Sequence, residues 1–125
     1  MALWRRKTTP AVPVPPWKGG GLRAAPGEIP GKILLSAGSV QAAVSPRELR
    51  DFGRGRLDIV ESLGTGPLAF LFRVSAAAPT SIAKEQVRDL PKDAVVLAFP
   101  ETPPAAILTG TERDSFLEWT QQLTD

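Results

Sequence analysis

Proline and glycine are concentrated at the start of the chain, and this constrains the fold more than any other feature of the sequence. Residues 1–31 hold six of the thirteen prolines and five of the eleven glycines, including the run Gly19 to Gly21. A segment so rich in these residues buries too little apolar surface to offset the entropy lost on ordering. We therefore predict an extended or disordered arm over 1–31 and a single folded domain over 32–125.

The charge is divided in the same way as the prolines. Residues 1–32 carry six basic and one acidic side chain, a net charge of +5, whereas residues 33–125 carry nine basic and twelve acidic ones, a net charge of −3. A basic segment of this kind is typical of chains that contact an anionic partner, such as lipid headgroups, nucleic acid or an acidic protein surface. A tail that serves only solubility is the alternative.

Two tryptophans lie among the basic residues of the arm. An indole beside cations suits a membrane interface, and it equally suits a segment that becomes ordered on a partner protein. We predict that the arm docks on such a partner, and packing of Trp17 on the domain itself is the alternative. The predicted docking residues are Leu3, Trp4, Arg5, Arg6, Lys7, Trp17, Lys18 and Arg23.

The composition removes most catalytic chemistry. The chain has no histidine, cysteine or tyrosine, so the commonest general base, the commonest neutral metal ligand and every thiolate are absent. Asp58 with Glu61, or Asp89 with Asp93, could form an acid–base pair, but nothing in the pattern places either pair in a pocket. We predict a protein without catalytic activity, cofactor, bound metal or small-molecule substrate.

The stretch from Asp51 to Arg56 joins an Arg-Gly repetition to an aromatic residue. This combination occurs in proteins that bind single-stranded nucleic acid, where the cation contacts phosphate and the ring stacks on a base. The repetition is short, and a turn with solvated arginines is the alternative. Arg54 and Arg56 are the predicted anion contacts of the nucleic-acid interpretation.

Apolar patterning predicts a sheet in the domain. Runs of apolar residues bounded by proline, glycine or polar turns are typical of strands. Leu68 to Val74 follows the turn at Gly64 to Pro67, and we predict that it forms an antiparallel hairpin with the strand before that turn. The predicted strands are 33–44 with a bend at Gly38, 56–63, 68–74, 95–99 and 105–108.

Helix signals occur at three places. Ser45 is followed by proline at the first helical position and by Glu48, which predicts a helix to Phe52; a polar strand is the alternative. The segment 80–90 suits a short helix and an irregular strand about equally. A third helix is predicted from about Glu112, capped by Thr111, with its apolar stripe formed by Phe116, Trp119 and Leu123.

The last elements resemble the pleckstrin-homology-like superfold over about residues 104–123. The resembling features are a strand at Ala105 to Leu108 and a closing helix with Trp119 on its inner face. The resemblance implies a curled antiparallel sheet plugged by the C-terminal helix. No basic cluster in the first hairpin matches the phosphoinositide-binding residues of that superfold, so no site residue is implied.

These features predict an α+β fold: a small antiparallel, partly curled sheet closed by a C-terminal amphipathic helix, with an extended N-terminal arm. The predicted function is that of a non-catalytic adaptor or accessory subunit that docks onto a larger protein complex or an anionic membrane surface through the arm. A nucleic-acid or ribonucleoprotein accessory factor is the alternative. The chain lacks a long apolar stretch and a secretory apolar region, so we expect it in the cytoplasm, including the periphery of a membrane.

Overall fold

The structure, a computed structural model, describes residues 14–26, 31–64, 66–74, 82–100 and 102–123. Its strands form two antiparallel four-stranded sheets, each with the strands in chain order. The first sheet contains β1 (Trp17–Gly19), β2 (Leu22–Pro26), β3 (Ile33–Ala37) and β4 (Val40–Val44). The second contains β5 (Ile59–Glu61), β6 (Phe70–Arg73), β7 (Val95–Ala98) and β8 (Ala106–Leu108).

Helices connect and follow these strands. The helices in the described residues are α1 (Pro46–Gly53) between the sheets, α2 (Lys84–Val87) before β7 and α3 (Gly110–Thr120) after β8. The α+β class is thus confirmed, with the strands divided over two sheets rather than gathered in one. None of the helices in the described ranges has the length and apolar character needed to cross a membrane.

The predicted separate arm is wrong over residues 17–26, which form β1 and β2. Gly20 and Gly21 have φ values of 56° and 85°, the left-handed region that a two-residue hairpin turn requires. The two glycines fold β1 back onto β2, and the preceding prolines cost no ladder hydrogen bond because they lie before the strand. The predicted domain boundary at residue 32 therefore falls inside the first sheet.

Hydrogen bonds hold residues 15–20 against α3. Two of them use the N–H groups of partly buried indoles, which would otherwise lack a hydrogen-bond partner. The third uses an exposed backbone N–H. The bonds join Trp17 Nε1 to Ser115 Oγ at 3.0 Å, Gly20 N to Glu112 Oε2 at 2.8 Å, and Trp119 Nε1 to the Pro15 carbonyl at 2.7 Å. The start of the described chain is thereby part of the folded body.

The segment 33–44 is a hairpin, so the predicted continuous strand with a bend is wrong. Ala37 lies opposite Val40, with Gly38 and Ser39 between them. Gly38 has a φ of 63°, which permits a tight reversal of the chain. The antiparallel hairpin of β5 and β6 is confirmed, as are the strands at β7 and β8.

The helix predictions are confirmed in part. At the start of α1 the Ser45 hydroxyl accepts a hydrogen bond from the N–H of Glu48 at 3.3 Å, so the helical interpretation holds and the polar strand is wrong. Within the described residues 82–90 the chain forms one short helix, α2. Capping of α3 by Thr111 is wrong, because the helix begins earlier and Thr109 occupies the position before it.

The main core lies between the two sheets and includes both longer helices. Leu35 of the first sheet, Leu71 and Leu97 of the second, Phe52 of α1 and Phe116 of α3 belong to one cluster of buried side chains. Because each sheet contributes one apolar face, neither could bury its strands alone. The sheets are therefore interdependent for stability.

The edges of the two sheets meet at two backbone hydrogen bonds. Leu63 donates to the carbonyl of Ala43 at 2.7 Å, and Ile107 donates to the carbonyl of Gly20 at 3.4 Å. The sheets nevertheless stay separate and do not form a closed barrel.

A second apolar cluster covers the other face of the second sheet. Phe70, Phe72 and Val96 of that face pack with Ile82 and with the half-buried side chains that follow it. The segment 82–90 thus shields this face from water. Both faces of the second sheet are covered, which agrees with the complete burial of all four residues of β7.

Candidate functional site

The face of the first sheet that points away from the core carries the predicted docking residues Lys18 and Arg23. Side chains alternate between the two faces of a strand. Trp17, Leu22 and Ala24 are buried in the core, so the residues between them point outward. Lys18 lies opposite Arg23 across β1 and β2, and both side chains are exposed.

The two cations begin a row that crosses the whole sheet. Arg23 lies opposite Ser36 on β3, and Ser36 lies opposite Gln41 on β4. The row therefore runs from two positive charges to a hydroxyl and an amide, all of which are hydrogen-bond donors. We call this row, together with the next row on the same side, the outer face of the first sheet.

The next row along the strands is apolar. Ala25, Leu34 and Ala43 lie opposite one another and are half-buried. Two small residues flank the larger Leu34, so the surface is recessed on either side of that side chain. The outer face thus combines a polar, cationic row with a small apolar row.

Two adjoining concavities lie over this face. One has a volume of about 610 Å³ and is lined by residues of the β1–β2 and β3–β4 hairpins. The other has a volume of about 440 Å³ and extends over Ala25 and Leu34 toward Pro16. Lys18, Arg23, Ser36 and Gln41 line both, so the cationic row lies where the two concavities meet.

The electrostatics of the outer face are unbalanced. None of the four strands of the first sheet contains an acidic residue. Like charges directly opposite on a sheet destabilise it, and a cross-strand pair changes stability by roughly 0.2–1 kcal/mol. The Lys18 and Arg23 pair is therefore a local conflict, which an anion bound between the two side chains would relieve.

The other predicted docking residues have different positions. Trp17 is only 9% exposed, and its ring meets that of Phe116 with centroids 5.1 Å apart, so the predicted partner contact at Trp17 is wrong and packing on the domain is confirmed. The physical reason is the hairpin turn, which places the indole on the core side of β1. Leu3, Trp4, Arg5, Arg6 and Lys7 lie outside the described residues.

Arg54 and Arg56 follow α1 at its carboxyl end. The guanidinium of Arg54 donates through Nε to Gln121 Oε1 at 2.7 Å and so connects α1 to the end of α3. Arg56 is exposed. The structure therefore gives Arg54 a structural contact and leaves the predicted anion contact to Arg56.

Arg73 is a half-buried cation that the sequence did not single out. Its guanidinium lies 4.4 Å from the centroid of the Phe52 ring and donates to the Phe52 carbonyl at 2.5 Å. Burial lowers the pKa of Arg73 from its ordinary value, and the charge of Asp58 opposes this shift. These contacts attach β6 to the end of α1, which is a structural role.

Asp93 was one candidate for an acid–base pair of carboxylates. In the structure it pairs with the guanidinium of Arg113 instead. Arg113 bonds both Asp93 and Asp114. The hydrogen bond from Arg113 holds the pKa of the Asp93 carboxyl below its ordinary value. A carboxylate with a lowered pKa is a poor general base near neutral pH. Across the described ranges, acidic side chains form no group of three that could hold a metal ion.

The Asp93 pairing predicts a specific dependence of stability on pH. The pKa of Asp93 is lower in the folded protein than in the unfolded chain. The pair therefore stabilises the protein at pH values above the unfolded-state pKa of Asp93. This contribution is lost as pH falls through its folded-state pKa. We expect Asp93→Asn to lower the thermal midpoint slightly at about pH 7 and by less at about pH 2, because acid favours the protonated form of the Asp93 carboxyl. Thermal unfolding followed by circular dichroism at both pH values measures this. An equal loss at both would contradict the pairing.

Most residues of the outer face were not predicted from the sequence. Ser36, Gln41 and the row of Ala25, Leu34 and Ala43 were not singled out, although Ile33–Ala37 alternates between buried and half-buried residues. That period of two is the signal that assigns Leu34 and Ser36 to the outward face. This alternation assigns residues to a face of the sheet only if the strand is known to end at Ala37, before the chain reversal at Gly38.

Comparison with protein-family models, with curated proteins and with solved structures finds no match for this chain. The candidate site therefore rests on the geometry of the first sheet alone.

Proposed function

We propose that the protein is a non-catalytic adaptor or accessory subunit that docks onto a larger protein assembly through the outer face of the first sheet. The location follows the earlier expectation that basic residues near the start of the chain make the contact. The proposed contact differs from that expectation in one respect. Lys18 and Arg23 lie on the exposed face of a sheet, whereas Trp17 packs in the core on the opposite face of β1.

One contrast between the two sheets carries this proposal. The outer side of the second sheet is covered by the segment 82–90. Among the residues that the structure describes, the concavities over the first sheet are lined by that sheet, its turns and Pro16. Within the described part of the chain the first sheet thus has a recessed, uncovered face. A recessed face with two cations and no neighbouring acidic residue in its strands is suited to binding a protein with complementary negative charge.

The residues Leu3 to Lys7 remain part of the proposal as a second, independent contact. They precede β1, whose start lies against α3 through the bond from Trp119 to Pro15. A truncation that tests these residues has to end at residue 13, because removal of residues 1–31 would delete β1 and β2.

The pleckstrin-homology-like closure and the location belong to the same proposal. We propose that α3 closes the space between the sheets in the manner of that superfold, which the burial of Phe116 and Trp119 in the shared core supports. A cytoplasmic location, including the periphery of a membrane, is the expected setting for such an adaptor.

Site-specific photo-crosslinking tests the proposed docking face. A photo-reactive residue at Gln41 lies on the outer face, and one at exposed Arg47 on α1 is the matched control. We expect Gln41 to form a protein adduct in extract of the source cells, about tenfold more strongly than Arg47. The adduct should disappear with excess unlabelled chain, and mass spectrometry should assign it to the same partner in repeated preparations.

The other outcomes of this experiment decide against the proposal. A nuclease-sensitive adduct at Gln41 would support the nucleic-acid alternative instead. Equal labelling from Gln41 and Arg47, or no adduct at Gln41, would exclude the outer face as the docking surface.

A further inference from the structure

We infer that the outer face of the first sheet binds an extended acidic segment of a partner protein, with a carboxylate held between Lys18 and Arg23. This inference rests on the proposed function and names the ligand of the same face. Its occupant is a segment with an acidic residue and a small apolar residue two positions apart.

The hairpin turn brings the two cations close together. With a two-residue turn at Gly20 and Gly21, Gly19 and Leu22 form the hydrogen-bonded pair that flanks the turn. Lys18 and Arg23 are then a non-hydrogen-bonded pair, the arrangement in which side chains on neighbouring strands lie closest. A carboxylate can accept hydrogen bonds from an ammonium and a guanidinium at once and separate the like charges.

The spacing of the rows defines the rest of the ligand. The apolar row lies two residues along the strands from the cationic row, since Arg23 and Ala25 are on one strand and Leu34 and Ser36 on the next. An extended partner advances by the same distance in two residues. A carboxylate over Arg23 therefore places the side chain two residues away over Ala25 and Leu34.

The shape of the face favours a protein segment over a membrane or nucleic acid. Ala25 and Leu34 of the apolar row are half-buried and line a concavity, which a flat bilayer surface does not enter. Stacking on bases needs exposed rings, and the ring that borders the concavity, Trp17, is turned into the core. A narrow chain with short side chains fits both concavities.

Binding to a labelled peptide of the repeat Glu-Ser-Ala-Ser, in which glutamate and alanine lie two positions apart and so share one face of an extended chain, tests this inference. Binding is measured by fluorescence anisotropy with the full chain. We expect the double charge reversal K18E/R23E to weaken binding by about tenfold or more. The matched control R47E/R88E changes the net charge equally at two exposed arginines outside the outer face, and it should bind within about twofold of the original chain. A peptide of the repeat Gln-Ser-Ala-Ser should bind the original chain as weakly as the glutamate peptide binds K18E/R23E.

Stability measurements separate lost binding from lost folding. The single reversal K18E places opposite charges across β1 and β2, so its thermal midpoint should equal or exceed that of the original chain while peptide binding falls. Retained peptide binding in K18E/R23E would overturn the inference. Tighter binding of a single-stranded oligonucleotide, or of anionic phospholipid vesicles, through Lys18 and Arg23 would overturn it as well.

The outcome at Gln41 distinguishes this inference from the proposed function. A protein adduct that persists at Gln41 in K18E/R23E would keep the outer face as a docking surface and reject the acidic segment as its ligand. Absence of any adduct, with the glutamate peptide still bound through Lys18 and Arg23, would support the ligand chemistry while rejecting docking to an assembly.

Discussion

Replacement of Trp17 by alanine should lower the free energy of unfolding by about 3–5 kcal/mol, the usual cost of truncating a buried tryptophan. The side chain is 9% exposed, its ring packs edge-on against Phe116, and its indole N–H donates to Ser115 Oγ at 3.0 Å. Since small domains are stable by only about 5–15 kcal/mol, this is a large fraction of the total. Urea unfolding followed by circular dichroism measures it.

A neighbouring substitution provides the control for this loss. Lys18 is adjacent in sequence but exposed on the other face of β1, so Lys18→Ala should change stability by less than about 0.5 kcal/mol. Trp17→Phe keeps an aromatic ring against Phe116 but loses the bond to Ser115, and it should fall between the two. If Trp17→Ala were as harmless as Lys18→Ala, β1 would be a detachable arm after all.

The contact between Trp17 and Ser115 also explains why the sequence misled at this point. The two residues are 98 positions apart, and nothing in the local pattern around Trp17 reports on α3. Local composition predicted an unfolded arm because prolines and glycines normally interrupt structure. Here Gly20 and Gly21 make the turn and Pro15 and Pro16 precede β1, so residues that normally interrupt structure define the edge of the first sheet.

Elements with local signals were predictable. Ser45 and Glu48 determine the start of α1 through a hydrogen bond within one turn, and the continuous apolar run of β7 reflects burial on both faces. The division of strands between two sheets depends on long-range pairing and could not be derived from such signals. The same holds for the candidate site, since the pairing of Lys18 with Arg23 requires the turn at Gly20 and Gly21.

Substitution of Gly53 by alanine should destabilise the protein by about 2 kcal/mol, because atoms of α3 and of the residue after it leave no room for a Cβ atom at this position of α1. A Cβ atom there would lie 2.5 Å from Gln121 Nε2 and 3.0 Å from the Leu117 carbonyl, and it would also meet Thr120 Oγ1. Overpacking a tight site costs about 1–3 kcal/mol. Alanine recovers up to about 1 kcal/mol through its helix propensity, less at a helix end. The steric cost therefore outweighs the gain.

Relaxation of the contact is limited because Thr120 is completely buried and its hydroxyl donates to the Leu117 carbonyl at 2.5 Å. Gly66→Ala is the matched control, since nothing lies within 4 Å of a Cβ atom added at Gly66. This substitution should change the free energy of unfolding by less than about 0.5 kcal/mol. A double-mutant cycle with Thr120→Ala isolates the clash: the two substitutions together should cost less than the sum of their separate effects. Additive losses would show that the cost of Gly53→Ala does not arise from the contact between α1 and α3. The close packing of the two helices would then fail to explain the glycine at this position.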